Sequence, residues 1–226
     1  MKIIEDPTKK EDKAGKQIMK IPVKLPTEQE IRRGSIEFKK HEKRGAMYKV
    51  ASFLLEYYWG KPEDMANALG VLLLTWNQAF YRYGSFDYEK LEKCIADNLA
   101  LLGNFRNRDI SSYSNEDAPT IKAIFYEFLE ALQIEGGKKG GIKSPVAVAK
   151  ALHLLAPAFF PLWDDKIARA YECFYKQDPG KKYLLFCKLT KEMAGRYRSL
   201  FDLTSKETLV KQIDEYNYAK YTKQWI

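Results

Sequence analysis

The sequence predicts an all-α fold, a bundle of about nine helices. Helix-start signals recur along the chain, among them Thr27 with Glu30, a T-x-x-E capping box, and Pro62 followed by two acidic residues. Apolar residues between 46 and 59 recur at spacings of three and four, the period of an amphipathic helix. Strand-like alternation is confined to 17–25, and no repeat of fixed period is present.

The helices follow from these signals in chain order. The capping box opens a polar helix toward 43. The next helix, 46–59, has an apolar stripe of Met47, Val50, Phe53, Leu54, Tyr57 and Tyr58. Pro62 starts a helix that runs to about 84, and Asp87 caps another to about 102. Further helices are predicted over 120–134, from the Ser144–Pro145 pair to about 155, from Asp164 or Asp165 through 175, and after a capping box of Thr204 and Glu207.

A chain of 226 residues is long enough for one compact unit. We expect an N-terminal arm over 1–26 and a single all-helical domain over 27–226, divisible into lobes 27–135 and 136–226. The longest apolar stretches, 147–152 and 154–162, are too short to span a membrane, and charges alternate where a signal peptide would be apolar. A cytoplasmic protein is therefore expected. The three cysteines, Cys94, Cys173 and Cys187, are too isolated for a disulfide framework or a metal site, so we expect reduced, packed thiols, no metal and no cofactor.

The net charge of +8 is distributed unevenly along the chain. Residues 1–50 have 14 Lys/Arg against 8 Asp/Glu, net +6, and residues 51–135 have 7 against 13, net −6. Residues 136–226 have 17 against 9, net +8. Two basic ends favour a partner that is a polyanion such as DNA, although lysines spread over solvated helix faces explain the same counts.

Residues 136–171 contain the strongest functional signal. A loop of glycines and lysines precedes the helix that begins at Pro145, an arrangement whose backbone amides and ammonium groups suit phosphate. Neither a P-loop nor a dinucleotide fingerprint is present, and a flexible connector remains the alternative. The residues predicted to contact nucleic acid are Lys138, Lys139, Gly140, Gly141 and Ser144.

The same segment resembles the core of the helix-hairpin-helix DNA glycosylase superfamily. The resemblance rests on Gly140 and Gly141, then Lys143, then the helix to about 155 and the Phe-Pro-Leu-Trp-Asp-Asp turn over 160–165. It implies that Lys143 is a Schiff-base nucleophile and that Asp164 or Asp165 is the supporting carboxylate. The glycines are adjacent here, and no cysteine cluster for an iron–sulfur centre is present, so a non-catalytic relative is the alternative.

Five other residues are candidates for a pocket. Trp163, beside the proposed carboxylate, could stack on a base extruded from DNA. Lys150 and His153 are three residues apart on one helix, and Trp76 and Asn77 lie together in an apolar one. Core packing is the alternative for most of the aromatic residues, and satisfaction of a buried helix junction is the alternative for Trp76 with Asn77. We expect His153 to be a hydrogen-bonded core residue.

The leading hypothesis is a DNA-binding helical protein, a base-excision glycosylase with or without lyase activity. A non-enzymatic helical module that binds nucleic acid or protein is the alternative, with Asp164 only a helix cap. An enzyme that acts on a small metabolite is a third class.

Overall fold

The computed structural model describes residues 25–43, 45–200 and 207–226. Within these ranges the protein consists of helices and connecting turns, with no strand, so the all-α prediction is confirmed. Most of the predicted arm, including 17–24, lies outside the described residues. The ten α-helices are α1 (Glu28–His41), α2 (Gly45–Tyr57), α3 (Pro62–Trp76), α4 (Gln78–Tyr81), α5 (Tyr88–Arg106), α6 (Ala118–Ala131), α7 (Pro145–Leu155), α8 (Asp165–Ala170), α9 (Pro179–Tyr197) and α10 (Leu209–Asn217).

Most helix starts follow the predicted local chemistry. The side chain of Thr27 accepts a hydrogen bond from the Glu30 amide at 3.3 Å, and the Glu30 carboxylate accepts one from the Thr27 amide at 2.8 Å. Pro62 is the first residue of α3, and Asp87 caps α5. Ser144 caps α7 through the amide of Ala147. These devices satisfy amides that have no partner inside the helix.

The predicted helix over 62–84 is interrupted at Asn77. Its backbone leaves the helical region, with φ −111° and ψ 27°. The side-chain oxygen of Asn77 accepts a hydrogen bond from Lys150 Nζ at 2.6 Å, and its amide donates to Ser144 Oγ at 3.4 Å. These long-range contacts outweigh the local preference of an apolar segment to continue as a helix.

Two other helix boundaries were predicted wrongly. α8 ends at Ala170 rather than near 175. Glu172 has a left-handed φ of 56°, and a right-handed helix cannot continue through a residue in that conformation. α10 begins at Leu209, where the Thr208 side chain accepts a hydrogen bond from Lys211 N at 3.2 Å. The predicted cap Thr204 lies outside the described residues.

The helices surround one hydrophobic core. α1 packs on α10, α3 packs on α2 and α5, and α6 packs on α7 and α9. The contact between α1 and α10 joins the two ends of the chain across the 135/136 position that would divide the lobes. The free cysteines Cys94, Cys173 and Cys187 are all buried, as expected. No helix in the described ranges is both long enough and apolar enough to cross a bilayer.

The apolar stripe of α2 faces the core only in part: Leu54 and Tyr58 pack against it, whereas four other apolar residues face solvent. Met47, Val50, Phe53 and Tyr57 are 43%, 54%, 63% and 69% exposed. α2 instead buries Ala51 and Leu55 against its neighbours. An apolar stripe ordinarily faces the core, so this surface is an exception.

Replacing Gly34 by alanine is predicted to destabilise the fold. A Cβ atom at position 34 would lie 2.8 Å from the backbone Cα of Tyr216, closer than α1 and α10 allow. Overpacking of this kind costs about 1–3 kcal/mol of unfolding free energy, measured by urea denaturation. Gly103→Ala on α5 is the matched control, since nothing lies within 4 Å of its Cβ position. That control should raise the unfolding free energy by about 0.5–1 kcal/mol. If both changes have the same effect on the unfolding free energy, the close approach of α1 to α10 at Gly34 is contradicted.

Candidate functional site

One cavity of about 300 Å³ lies where the α1–α2 junction, the α7–α8 junction and the C-terminal segment meet. Its lining combines aromatic rings with charges of both signs. The aromatic residues are Phe38, Tyr48, Trp76, Trp163 and Tyr218; the carboxylates are Glu42, Asp164, Glu207, Asp214 and Glu215; the lysines are Lys49, Lys150 and Lys211. Three of the predicted site residues, Trp76, Lys150 and Trp163, and the predicted carboxylate Asp164 therefore share one pocket.

Stacked rings of Tyr48 and Trp76 form one wall of the pocket. Their centroids are 5.7 Å apart and their planes differ by 12°. His153 supports this wall from the core, where it is fully buried. Its Nδ1 donates to the Phe160 carbonyl at 2.8 Å, which leaves Nε2 to accept from the Tyr48 hydroxyl at 2.9 Å. His153 is therefore a hydrogen-bonded core residue that positions Tyr48.

Lys150 is held beside the same wall. Its Nζ donates to the Trp76 carbonyl at 2.9 Å and to Asn77 Oδ1 at 2.6 Å. The break between α3 and α4 makes both acceptors accessible, because residues 76 and 77 end the regular helix. Asn77 does not line the pocket itself, but it fixes the lysine that does.

Asp164 caps α8 and lines the pocket at once. Its Oδ1 accepts a hydrogen bond from the Ile167 amide at 2.8 Å, and Oδ2 accepts one from Thr222 Oγ1 at 2.5 Å. Both bonds orient the carboxylate. The cap role and the pocket role are compatible.

The side chain of Trp163 belongs mainly to the core. It is 1% exposed, its ring lies 5.8 Å from that of Phe186 and 5.2 Å from that of Tyr183, and its Nε1 donates to the Pro145 carbonyl at 3.2 Å. The rings of Tyr48 and Trp76 provide the more open aromatic surface, since both are only partly buried.

Buried charges of α10 also line the pocket. Lys211 Nζ lies 2.9 Å from Asp214 Oδ2 and 4.5 Å from the centre of the Phe38 ring. Burial alone would lower the pKa of Lys211, but the carboxylates of Asp214 and Glu215 outweigh burial and raise it. Glu215 accepts a hydrogen bond from Ser35 Oγ at 2.7 Å, and burial raises its pKa. Lys211 therefore stays a fixed cation.

Lys143 and Asp165 lie outside the residues that line the pocket. Lys143 is exposed and forms an ion pair with Glu130. Asp165 forms an ion pair with Arg169, with Nε 2.8 Å from Oδ2. Their catalytic roles stay predictions, and Asp164 alone of the three lines the pocket.

The glycine loop uses several of its amides internally. Gly140 N donates to the Gly137 carbonyl at 3.2 Å, Gly141 N to the Ile134 carbonyl at 2.8 Å and Ile142 N to the Lys139 carbonyl at 3.2 Å. The buried Ser144 hydroxyl is engaged by Ala147 and Asn77. The amides of the predicted contacts Gly140 and Gly141 are therefore already bonded, whereas Lys138 is exposed and Lys139 lies 4.9 Å from the Tyr83 ring centre.

Sequence reasoning missed most of the pocket. Phe38, Tyr48, Lys211, Tyr218 and Thr222 come from the two ends of the chain, outside the segment 136–171. The mixture of tyrosines and lysines after 214 was the one available signal. In the part of the chain that the structure describes, no three or more His, Cys, Asp or Glu side chains are grouped as metal ligands.

No family model, no curated protein and no solved structure matches this chain.

Acid is predicted to destabilise the protein through His153. Burial lowers the pKa of His153 to about 3, whereas an unfolded histidine titrates near 6.5. Between these values the unfolded state binds the proton and the folded state does not, so unfolding free energy falls as pH falls. The slope is about 1.4 kcal/mol per pH unit below pH 6. Urea denaturation at pH 7, 6 and 5 should show this loss in the wild type and a shallower loss in His153→Gln; parallel slopes would contradict it.

Proposed function

We propose that the protein binds DNA and takes an extruded base into the pocket, where Asp164 assists cleavage of the N-glycosidic bond. One observation carries the proposal: the Tyr48–Trp76 wall, Lys150 and Asp164 line one cavity of about 300 Å³. A base that leaves the DNA stack needs aromatic surface and polar groups to replace its lost contacts.

The distribution of charge favours a base, rather than a phosphate, inside the pocket. Five carboxylates and three lysines line it, so its interior is not the cluster of cations that binds phosphate. Exposed lysines lie at its edge. Lys49 is in the lining, Lys39 pairs with the lining residue Glu207 at 3.3 Å, and Lys166 Nζ donates to the Thr222 carbonyl at 3.0 Å. This cationic rim, Lys39, Lys49 and Lys166, is suited to the phosphates that flank the base.

The chemistry proposed for Asp164 is electrostatic. As the bond between C1′ and the base nitrogen breaks, its electron pair leaves with the base, which takes up a proton, and positive charge develops on the sugar. A carboxylate oriented by Ile167 and Thr222 stabilises that charge. Water then adds to C1′ and releases a proton, which balances the proton taken up by the base. The exposed position of Lys143, paired with Glu130, favours glycosylase-only chemistry over a Schiff base at Lys143.

Asp164→Asn is predicted to slow base release strongly while the fold is kept. Asparagine caps helices as well as aspartate does, so the change removes the charge and retains the cap. Loss of a group that acts on transition-state charge lowers the rate by roughly 10²–10³-fold. The measurement is base release from duplexes that carry uracil, 8-oxoguanine, alkylated purines or an abasic site. Lys143→Ala, at an exposed position outside the pocket, is the matched control and should stay within about threefold of wild type.

Three results would count against this assignment. A borohydride-trapped adduct that disappears in Lys143→Ala would restore the Schiff-base hypothesis. Equal rates for Asp164→Asn and wild type would leave Asp164 as a cap only. No release from any duplex, together with retained DNA binding, would support the non-enzymatic binding module.

Trp76→Ala is predicted to weaken binding of DNA that contains an unpaired or damaged base. Loss of a stacking ring costs about 1–3 kcal/mol per base, so the dissociation constant should rise roughly 10-fold to 100-fold. Affinity for undamaged duplex should change little, because it rests on phosphate contacts. Fluorescence anisotropy with both duplexes measures the difference. Trp59→Ala, whose ring contacts Arg106 outside the pocket, is the control and should affect both duplexes equally.

A further inference from the structure

α2 presents a surface that the pocket does not use. Ala46, Val50, Phe53 and Tyr57 are all exposed and follow one another at spacings of four, three and four residues. This is the spacing of the core positions in a two-stranded coiled coil. The rings of Phe53 and Tyr57 are 6.2 Å apart and nearly parallel. We call these four residues the α2 stripe.

The two borders of the α2 stripe differ in chemistry. At 100° per residue, Lys49 and Glu56 lie along one border, and Met47 and Leu54 lie along the other. Lys49 and Glu56 are both exposed. Lys49 also lines the pocket, and Glu56 acts electrostatically on Arg106. Each border thus carries a pair of residues one heptad apart, one pair charged with opposite signs and one pair apolar.

We propose that the α2 stripe binds the same stripe of a second copy of the chain, with the two helices antiparallel. A two-fold axis across antiparallel helices brings each border against the identical border of the other copy. Lys49 of each copy then faces Glu56 of the other, and Met47 faces Leu54. In the stripe itself, Val50 packs beside Phe53.

The charges also select the antiparallel direction. In a parallel pair the opposite borders meet, and Lys49 would face the apolar Leu54 of the other copy. That arrangement leaves the ammonium group beside apolar surface with no carboxylate opposite it. A helix of this sequence therefore complements itself in only one of the two directions.

The size of the surface sets the strength of the interaction. Two exposed aromatic rings and their apolar neighbours amount to about 500 Å² per copy, against the roughly 800 Å² per partner of a standard stable interface. A pair of this size is expected to dissociate on dilution. The dimer should therefore be reversible and visible only as a concentration-dependent equilibrium.

Sedimentation equilibrium over a range from low to high micromolar protein tests the proposal. The wild type should pass from monomer to dimer, and Phe53→Glu should shift the dissociation constant upward by at least tenfold. Leu101 on α5 is an apolar residue that is 41% exposed, so Leu101→Glu is the matched control. It should leave the equilibrium between monomer and dimer unchanged. A wild type that stays monomeric throughout, or a dimer unaffected by Phe53→Glu, would overturn the proposal. So would large aggregates in place of a dimer.

A charge exchange tests the antiparallel arrangement and does not depend on changes to apolar residues. Lys49→Glu and Glu56→Lys should each weaken the dimer by roughly fivefold, because each places like charges opposite one another at both ends. The double variant should restore wild-type affinity, and high salt should reduce all three differences. If the double variant dimerises as weakly as the single variants, the antiparallel arrangement is excluded. Circular dichroism of each variant checks that its helix content is retained.

Discussion

α10 carries Lys211, Asp214 and Glu215 into the interior, and the arrangement of the pocket depends on the pairing of these charges. A buried charge without a partner costs several kcal/mol, so each must be placed within reach of its counterpart. Lys211 pairs with Asp214, and Glu215 receives the hydroxyl of Ser35 on α1. The close approach of Gly34 to Tyr216 brings α1 near enough for that bond. Once α1 is fixed on α10, Phe38 and the start of α2 are brought to the pocket.

The second side of the pocket depends on a different set of hydrogen bonds. His153, buried on α7, has one ring nitrogen on the Phe160 carbonyl and one on the Tyr48 hydroxyl, so α7 positions a residue of α2. Asn77 joins Lys150 to Ser144 and interrupts α3 where the carbonyl of Trp76 can accept a bond from Lys150. The break in the helix is therefore part of the pocket. A straight helix through position 77 would keep the Trp76 carbonyl in the helical hydrogen-bond pattern and remove one of the two acceptors of Lys150.

Local chemistry determined how much of this could be predicted from sequence. Caps such as Thr27, Asp87 and Ser144 act within three residues, so their patterns are visible in the chain, and the all-α fold followed from them. Asp164 was found for the same reason. The pairing of Lys143 with Glu130, and the meeting of Tyr48 with Trp76 and Lys211, depend on how distant helices pack, which no local pattern records. The stripe on α2 has the right period for a helix, but period alone does not say which face meets the core.

The packing of α1 on α10 brings the two basic sections of the chain together in the fold. The basic N-terminal section contributes Lys39 and Lys49, and the basic C-terminal section contributes Lys166 and Lys211, so the packing brings both ends to one pocket. The acidic middle contributes mainly α3, α5 and α6, of which only Trp76 at the end of α3 lines the pocket. Cations at the rim and charges of both signs inside support the proposal that a polyanion binds across the mouth and inserts only an uncharged or cationic part. A nucleic acid strand with one extruded base has this division of charge.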